Sequence, residues 1–472
     1  MLTACSVGPD FVTPDAPEVA SFTTTSLETS DDLKLVPQEH IPERWWTIFG
    51  SGEIEQLVTR GLEASPTLAA ARSRLIAQIE SYEAEHGSFW YPEISADISS
   101  TRQSTSGAAF GSTTGFDYTV HNASINVGYS ITPFGAGQRF LEASEAQVEF
   151  EAIQLEATRQ TLAANIVTGA FTEASLREQL AASRSIIEDE SELLSLIEKQ
   201  YEIGVIPRAE LLAQQAAVAE SRTRIPALEK ALAASRNALA ALLGIFPEQI
   251  ATLPQVSLDA LSMPERIPVT LPSTLTQRRP DIRAAQSLLH QASANIGVAT
   301  ANLYPSIGLT ASVGKESTKF SDLFSDGTSV WGVAAGITQP LFEGGSLRAR
   351  KRSAEATYDE VAALYRQSVI DAFVDVADSM TALQLDSRQY ALQKDAERLT
   401  RERRELINEQ YKQGAASYLA LLDAQRQHQQ ARIALIEARV MLLNDTAILL
   451  HSLGGGWDGV VVYEQEDQAE SS

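Results

Sequence analysis

The chain contains a single cysteine, Cys5, among its 472 residues. One thiol excludes an intramolecular disulfide, and a thiolate zinc site would need other ligand types nearby. Basic residues are also scarce, because 37 Lys and Arg stand against 61 Asp and Glu and the formal net charge is -24. A chain this acidic does not neutralise phosphates, so we expect no nucleic-acid partner, and any duct that it lines should favour cations.

Long apolar runs and metal-binding patterns are missing as well. No stretch of about 18 uninterrupted apolar residues occurs, so we expect no transmembrane helix. The six histidines show no metal-ligand spacing, and no phosphate-binding loop is present. The sequence therefore predicts no catalytic, metal-binding or cofactor-binding residue, and an enzyme is the weakly supported competing class.

Two interpretations of Cys5 stay open. The preceding residues, Leu2-Thr3-Ala4, resemble the lipobox at which bacterial lipoprotein signals are cut before the cysteine is acylated. A secretory signal needs an apolar segment of roughly 7 to 15 residues, so this interpretation places the signal outside this chain. The alternative is a chance surface cysteine. Because one acyl anchor alone binds a membrane modestly, a lipid-anchored protein also needs a second attachment.

The two halves of the chain repeat each other in order. The segment YEIGVIPRAELLAQQ from Tyr201 matches YKQGAASYLALLDAQ from Tyr411. Other matches are SPTLAAARSRL from Ser65 with RPDIRAAQSLL from Arg279, Tyr91-Pro92 with Tyr304-Pro305, and PFGAG from Pro133 with LFEGG from Leu341. Offsets of about 208 to 213 residues indicate a tandem duplication. We predict an N-terminal segment 1–52, a first repeat 53–245, a linker 246–272, a second repeat 273–456 and an acidic tail 457–472.

Each repeat contains two segments in which apolar and small polar residues alternate, as they do in β-strands. In HNASINVGYSIT the apolar positions run from Ala123 to Ile131, and PEISADIS shows the same alternation. The second repeat has its equivalents at 307–313 and 331–337. Four strands of about ten residues are predicted, joined in pairs by Gly/Ser/Thr-rich loops at 101–121 and 314–328.

Two environments suit such strands. A soluble sandwich edge is one. The other is a membrane, because a tilted strand of this length spans a bilayer and only a closed barrel leaves no unpaired edge. Common membrane barrels have at least about eight strands, so four strands cannot close, and several chains would have to share one barrel.

The rest of each repeat is predicted to be helical. Segments 138–201 and 346–411 contain no proline, and each helix would be on the order of 95 Å long. Leucines recur every seven residues, as in a coiled coil, at Leu385, Leu392, Leu399 and Leu406. Breakers at 204–207 and 414–417 precede shorter return helices, so these are helical hairpins, and segments 53–88 and 273–302 are predicted helices that lead into the strands. A purely structural coiled-coil protein shares the heptads but gives no reason for the strands.

These features together resemble the outer-membrane efflux protein family, the TolC-like outer-membrane factors, and especially its lipoprotein branch. The resemblance covers nearly the whole chain. Its motifs are the Cys5 lipobox followed by Gly8-Pro9-Asp10-Phe11 and Pro14, Trp45-Trp46 with Phe49, the duplicated Tyr-Pro strand starts and the paired YxxG turns. The resemblance implies a mainly α fold with a membrane β-barrel portion: a homotrimer with a shared 12-stranded antiparallel barrel, four strands per chain, continuous with an α-helical tunnel.

The resemblance also implies a function and partners. The trimer would passively conduct drugs or other small molecules from the periplasm to the exterior. It would receive them from a periplasmic adaptor (membrane fusion) protein and an inner-membrane pump of the resistance-nodulation-division type. The location would be the bacterial outer membrane, with a large periplasmic portion and lipid attached at Cys5. A component of protein or metal-ion export, or a non-channel coiled-coil surface protein, is the alternative.

The family's gate is implied where the hairpin turns converge at the periplasmic end. Gly204 and Gly414 mark these turns. Arg208 and Glu210 lie near the tip of the first hairpin and are candidates for pairing across subunits, although a surface ion pair contributes little stability.

In the second hairpin, Tyr411 and Asp423 match the family's gate pattern. The resemblance implies that Asp423 forms an acidic ring across the trimer, where three like charges attract cations. A solvated aspartate on a helix surface is the alternative. Ala420 and Ala416 occupy the places of a second aspartate and a tip arginine, which weakens the case for a gate closed by salt bridges.

Overall fold

The computed structural model describes residues 6–19, 21–23, 34–37, 41–111 and 113–460. Cys5 and most of the predicted acidic tail therefore lie outside the described residues. The chain divides into two compact units. The strand unit contains the chain up to Pro14 together with Arg74–Glu151 and Ala284–Arg366, and the helix unit contains Asp15–Ser73, Ala152–Arg283 and Gln367 onward.

The described residues form six strands and eight α-helices. The strands are β1 (Lys34–Pro37), β2 (Glu93–Thr105), β3 (Phe116–Ile131), β4 (Arg266–Val269), β5 (Ser306–Ser317) and β6 (Ser329–Thr338). The helices are α1 (Gly52–Ala64), α2 (Pro66–Trp90), α3 (Ala136–Glu202), α4 (Arg208–Leu242), α5 (Pro272–Arg278), α6 (Pro280–Ala301), α7 (Ser346–Lys412) and α8 (Tyr418–Ser452). None of these helices is long and apolar enough to cross a membrane.

In the strand unit, one antiparallel sheet has the order β2-β3-β5-β6. Apolar residues face apolar residues across it, as in the pairs Ile125 with Val313 and Ile307 with Ile337. The strands are longer than predicted, because β2 continues to Thr105 and the ladder with β3 includes residues assigned from the sequence to a loop. Backbone pairing continues through the Ser- and Thr-rich end of β2 although its apolar alternation has stopped, so the predicted loop 101–121 was too long.

In the helix unit, two short strands had not been predicted. Strands β1 and β4 pair in parallel over four residues each, with Lys34 opposite Arg266. Four residues are too few for an alternation to be recognised, and β4 lies in the predicted linker 246–272.

Prolines divide two segments that had each been predicted as a single helix. Ser65 before Pro66 and Arg279 before Pro280 are extended, with ψ angles of 122° and 123°. A proline ring disfavours the helical conformation of the residue before it, so α1 and α5 end at these positions and α2 and α6 begin.

The Trp-Trp-Phe motif is part of the buried core of the helix unit. Trp45 and Phe49 lie in a short 3-10 helix and are fully buried, and the Phe49 ring meets Phe171 of α3 edge-on with centroids 4.9 Å apart. Burying aromatic rings of this size gives a large apolar gain and fixes their geometry. The motif is therefore explained by packing.

Candidate functional site at the hairpin turns

The two hairpin turns have the same backbone geometry. Gly204 and Gly414 both have φ of +74°, in the left-handed region that favours glycine. The Val205 amide donates to the Gln200 carbonyl at 2.9 Å, and the equivalent bond after α7 is 2.8 Å long. These are Schellman ends, which satisfy the last carbonyls of α3 and α7. The paired YxxG motifs thus encode paired helix stops, and their role at a gate stays a prediction.

An apolar cluster joins the two hairpins of one chain beside the turns. Ile197 of α3, Ala217 of α4, and Tyr418 and Leu422 of α8 are buried together. Tyr411 packs at the edge of this cluster, with its ring centroid 6.5 Å from that of Tyr418. The sequence-predicted Tyr411 is therefore partly a packing residue.

A buried chain of hydrogen bonds lies next to the cluster. The Tyr418 hydroxyl donates to Gln214 Oε1 at 2.6 Å, and Gln214 Nε2 donates to the Glu190 carbonyl at 2.9 Å. Gln429 Nε2 donates to Glu190 Oε1 at 2.8 Å. Gln214 is fully buried, and burial raises the pKa of Tyr418 to about 12. These residues link α3, α4 and α8, and no pattern in the sequence pointed to them.

Asp423 lies on the exposed surface of α8 and has partners within its own chain. Its Oδ2 accepts a hydrogen bond from Arg403 Nη2 of α7 at 2.8 Å, and Gln427 donates to the same carboxylate at 3.1 Å. The Arg403 hydrogen bond holds the pKa of Asp423 below its usual range. The carboxylate is thus ionised and partly compensated in charge.

The two candidates of the first hairpin are not brought together. Arg208 is exposed and Glu210 is half-buried, and within the described part of the chain no ion pair joins them. After burial, the negative charge of Glu210 is the next cause that raises the pKa of Tyr411. The Tyr411 hydroxyl donates to Gln200 Oε1 at 3.1 Å, so Tyr411 contacts the end of α3. Pairing across subunits stays a prediction.

In the strand unit, the segment that follows Cys5 is held in place. Asp10 Oδ1 accepts from the buried Arg139 of α3 at 2.6 Å, and the Phe11 ring stacks on His290 of α6 with centroids 4.5 Å apart. The Gly-Pro-Asp-Phe motif therefore supplies one charged and one aromatic contact. Nothing in its spacing pointed to Arg139 or His290.

Solved structures that are similar to this chain include outer-membrane channels. The outer-membrane channel OprN matches with a TM-score of 0.87 and 26% identity, over 96% of this chain and all of that one. The predicted fold class is confirmed: the chain has the TolC-like fold of outer-membrane efflux channels.

Sequence comparison agrees. The model of the family "Outer membrane efflux protein" matches residues 57–245 and 271–455. The toluene efflux pump outer membrane protein TtgC of Pseudomonas putida is 30% identical over 99% of this chain and 95% of its own length. The pyoverdine export outer membrane protein OpmQ of Pseudomonas putida is 28% identical over 97% and 95%. The chain belongs to the outer membrane efflux protein family, and it acts as an efflux channel of the outer membrane.

Proposed function

We propose that three copies of this chain form one channel that passively conducts small organic molecules from the periplasm to the exterior, without a catalytic step. A periplasmic adaptor and an inner-membrane pump of the resistance-nodulation-division type would supply the substrates. The relatives support small organic molecules over proteins or metal ions, because one is named for toluene efflux and another for pyoverdine export.

The proposed assembly rests on apolar residues that a single copy leaves exposed. Four leucines of α7, seven residues apart, are 56%, 62%, 54% and 59% exposed: Leu385, Leu392, Leu399 and Leu406. Not every leucine of the long helices is exposed in this way, because Leu162 and Leu180 of α3 are buried. A row of exposed leucines at heptad spacing marks a protein interface, and it suits a helix of another copy.

We further propose that Cys5 carries lipid and is a second attachment beside the shared barrel. The contacts of Asp10 and Phe11 support this, because they hold the following segment against the strand unit. Since Cys5 is the only cysteine, labelling of the full chain with a maleimide reports directly on its thiol. An acylated chain extracted from membranes should not react, whereas a reactive thiol would contradict the lipid.

Native mass spectrometry of detergent-extracted protein, followed by conductance in planar bilayers, tests the channel. We expect a trimer with discrete conductance steps. The double variant Leu392→Gln, Leu399→Gln should lower the trimer fraction, and the control Lys394→Gln, on the other side of the same helix, should not. A monomer that does not conduct would contradict the proposal.

A further inference from the structure

The two edge strands of the sheet end beside exposed aromatic rings. Strands β2 and β6 are the outer strands, and among the described residues each pairs on one side only. Tyr91 precedes β2 and is 69% exposed, and Phe342 follows β6 and is 89% exposed. Long unpaired edges and bare aromatic rings indicate a surface that another chain covers.

The central joint of the sheet shows how such edges can be joined. Strand β3 of the first repeat pairs with β5 of the second, with Tyr129 opposite Leu309. Just beyond the paired ends, the Phe134 ring stacks on Tyr304 with centroids 4.6 Å apart and planes at 23°. An aromatic pair therefore lies next to this joint, where β3 leads into α3 and α6 leads into β5.

The duplication converts the central joint into a template for a second one. Phe134 in PFGAG corresponds to Phe342 in LFEGG, 208 positions later, and Tyr304 corresponds to Tyr91, 213 positions earlier. By the same offsets β3 corresponds to β6, and β5 corresponds to β2. The sequence therefore contains the strands and the aromatic residues for an equivalent joint between β6 and β2. Because β6 and β2 are opposite edges of one sheet, the two parts meet only between copies.

We propose that β6 of one copy pairs antiparallel with β2 of the next, with Ile337 opposite Ala96 and Ala335 opposite Ile98. In this register Phe342 stacks on Tyr91 of the partner subunit. The inference rests on the proposed function, since it requires copies that share one sheet, and it adds which residues meet at the shared edge.

The side-chain faces agree with this register. Ile94, Ala96 and Ile98 of β2 lie on the same face as the apolar residues of β3, as the pair Ala96 with Ile125 shows. The face continues through β5 to Ile337 in β6. A slip of one residue would place Ile337 opposite Ser95 or Asp97 and turn every side chain to the wrong face. The mapped pairs run from Thr338 with Ser95 to Ser329 with Ser104, inside both strands.

The tilt of the strands agrees as well. The residues that lie directly opposite one another across the sheet of one chain are Glu93 in β2, Gly128 in β3, Thr310 in β5 and Ala334 in β6. In the proposed register, Ala334 then lies opposite Ser99 in β2 of the next copy. Each copy thus shifts the register by six residues over four strands. With about 3.3 Å per residue and about 4.8 Å between strands, the strands tilt by about 45°, as expected in membrane barrels.

Disulfide cross-linking in intact cells tests the register. In a Cys5→Ser background, the two double variants Ala335→Cys, Ile98→Cys and Ala334→Cys, Ser99→Cys should each form covalent dimers and trimers that a reductant reverses. Two adjacent pairs are used because facing residues alternate between wide and close spacing, and a disulfide needs Cα atoms about 4.4 to 6.8 Å apart.

The matched control moves one cysteine by two residues along the same face. Ala335→Cys with Ala96→Cys creates a diagonal pair that should cross-link poorly. Stronger linking of this diagonal pair, or no linking in any pair while native mass spectrometry shows an intact trimer, would overturn the register. Absence of any oligomer would instead contradict the shared channel itself, and the register with it.

A second measurement tests the aromatic contact. Phe342→Ala should lower the temperature at which the detergent-extracted trimer dissociates, and adding Tyr91→Ala should lower it little further, because the two rings act as a pair. Phe324→Ala removes another exposed ring, 70% exposed, and should have no effect. Equal and additive effects of all three changes would contradict the stack.

Discussion

Arg403 of α7 and Asp423 of α8 form an ion pair within one chain, with 2.8 Å between the guanidinium Nη2 and the carboxylate Oδ2. The family resemblance implies that Asp423 meets its counterparts from the other copies. A carboxylate that is already paired contributes less net negative charge to such a ring. We therefore expect Arg403 to set how strongly the hairpin end selects cations.

Removing this partner should strengthen cation selectivity. Arg403→Gln leaves the Asp423 charge uncompensated, and Asp423→Asn removes it, so the two variants should shift the reversal potential in a salt gradient in opposite directions. Arg401→Gln, which takes the same charge from the same helix but faces Glu397, is the control. If Arg403→Gln and Arg401→Gln shift the potential equally, the pair has no special role.

The pH dependence of this selectivity follows from the lowered pKa of Asp423. A lowered pKa keeps the carboxylate charged, and its ion pair intact, until the pH falls below its ordinary value of about 3.8. Wild-type selectivity should thus be constant from pH 8 to 5. Arg403→Gln should begin to lose its added selectivity at a higher pH than the wild type does.

Tyr418→Phe should destabilise the hairpin end. The change leaves Gln214 Oε1 buried without its donor, at a cost of about 1 to 3 kcal/mol. Urea unfolding followed by circular dichroism measures the effect. The control is Tyr201→Phe, because the Tyr201 ring is exposed at the end of α3, beside the first hairpin turn. Because the pKa of Tyr418 is raised to about 12, its contribution is complete below pH 10 and is lost as the pH rises through 12.

Asp445→Asn should stabilise the protein at alkaline pH. Burial, and then a hydrogen bond with Asp386 of α7, raise the pKa of Asp445 of α8 to about 7. A raised pKa contributes stability below the ordinary value of about 3.8, and this stability is lost as the pH rises through 7. The variant stays neutral, so between pH 5 and 8.5 its melting temperature should fall less, corresponding to on the order of 1 kcal/mol after solvent screening.

The neighbouring carboxylates provide the controls for this prediction. Asp386→Asn should reduce the same pH dependence, because it removes the coupled partner. Asp378→Asn changes an exposed carboxylate of the same cavity and should leave the dependence unchanged. An unaltered pH profile in Asp445→Asn would show that other groups determine it.

Gly414→Ala should destabilise the second hairpin through its backbone alone. The residue has φ of +74°, and a Cβ there would meet nothing within 4 Å, so no clash contributes. A left-handed alanine costs about 1 to 2 kcal/mol, and Gly414→Asn should cost less. Thermal unfolding of these variants, and of the matched Gly204 pair, measures the difference. Equal losses for Ala and Asn would contradict the Schellman geometry.

Much of the fold was predictable because its signals are local. Absent prolines and YxxG stops placed the long helices at 138–201 and 346–411, and the structure extends them only to Ala136–Glu202 and Ser346–Lys412. The short parallel pair β1 and β4 was missed because its partners lie about 230 residues apart and carry no periodicity.

The site was predictable only in its turns. Gly204 and Gly414 follow from a backbone rule, whereas Gln214 looks like a surface residue of an Ala-rich helix and becomes a core residue only through Tyr418, 204 positions away. Similarly, Asp423 was identified by resemblance, but its partner Arg403 lies in an Arg- and Glu-rich segment where no single charge stands out. Long-range pairing of polar groups is not encoded in local patterns.

The helices of the two hairpins have the same lengths, 67 residues for α3 and α7 and 35 for α4 and α8. One inserted residue would advance everything beyond it by about 1.5 Å and rotate it by about 100°. An insertion in α7 would move its exposed leucines out of register with the helix of the other copy that we propose they contact. It would also shift one hairpin turn along the helix axis relative to the other. Evolution of this protein should therefore tolerate insertions in the loops of the sheet, but admit length changes in the hairpins only in compensating sets or in steps of seven.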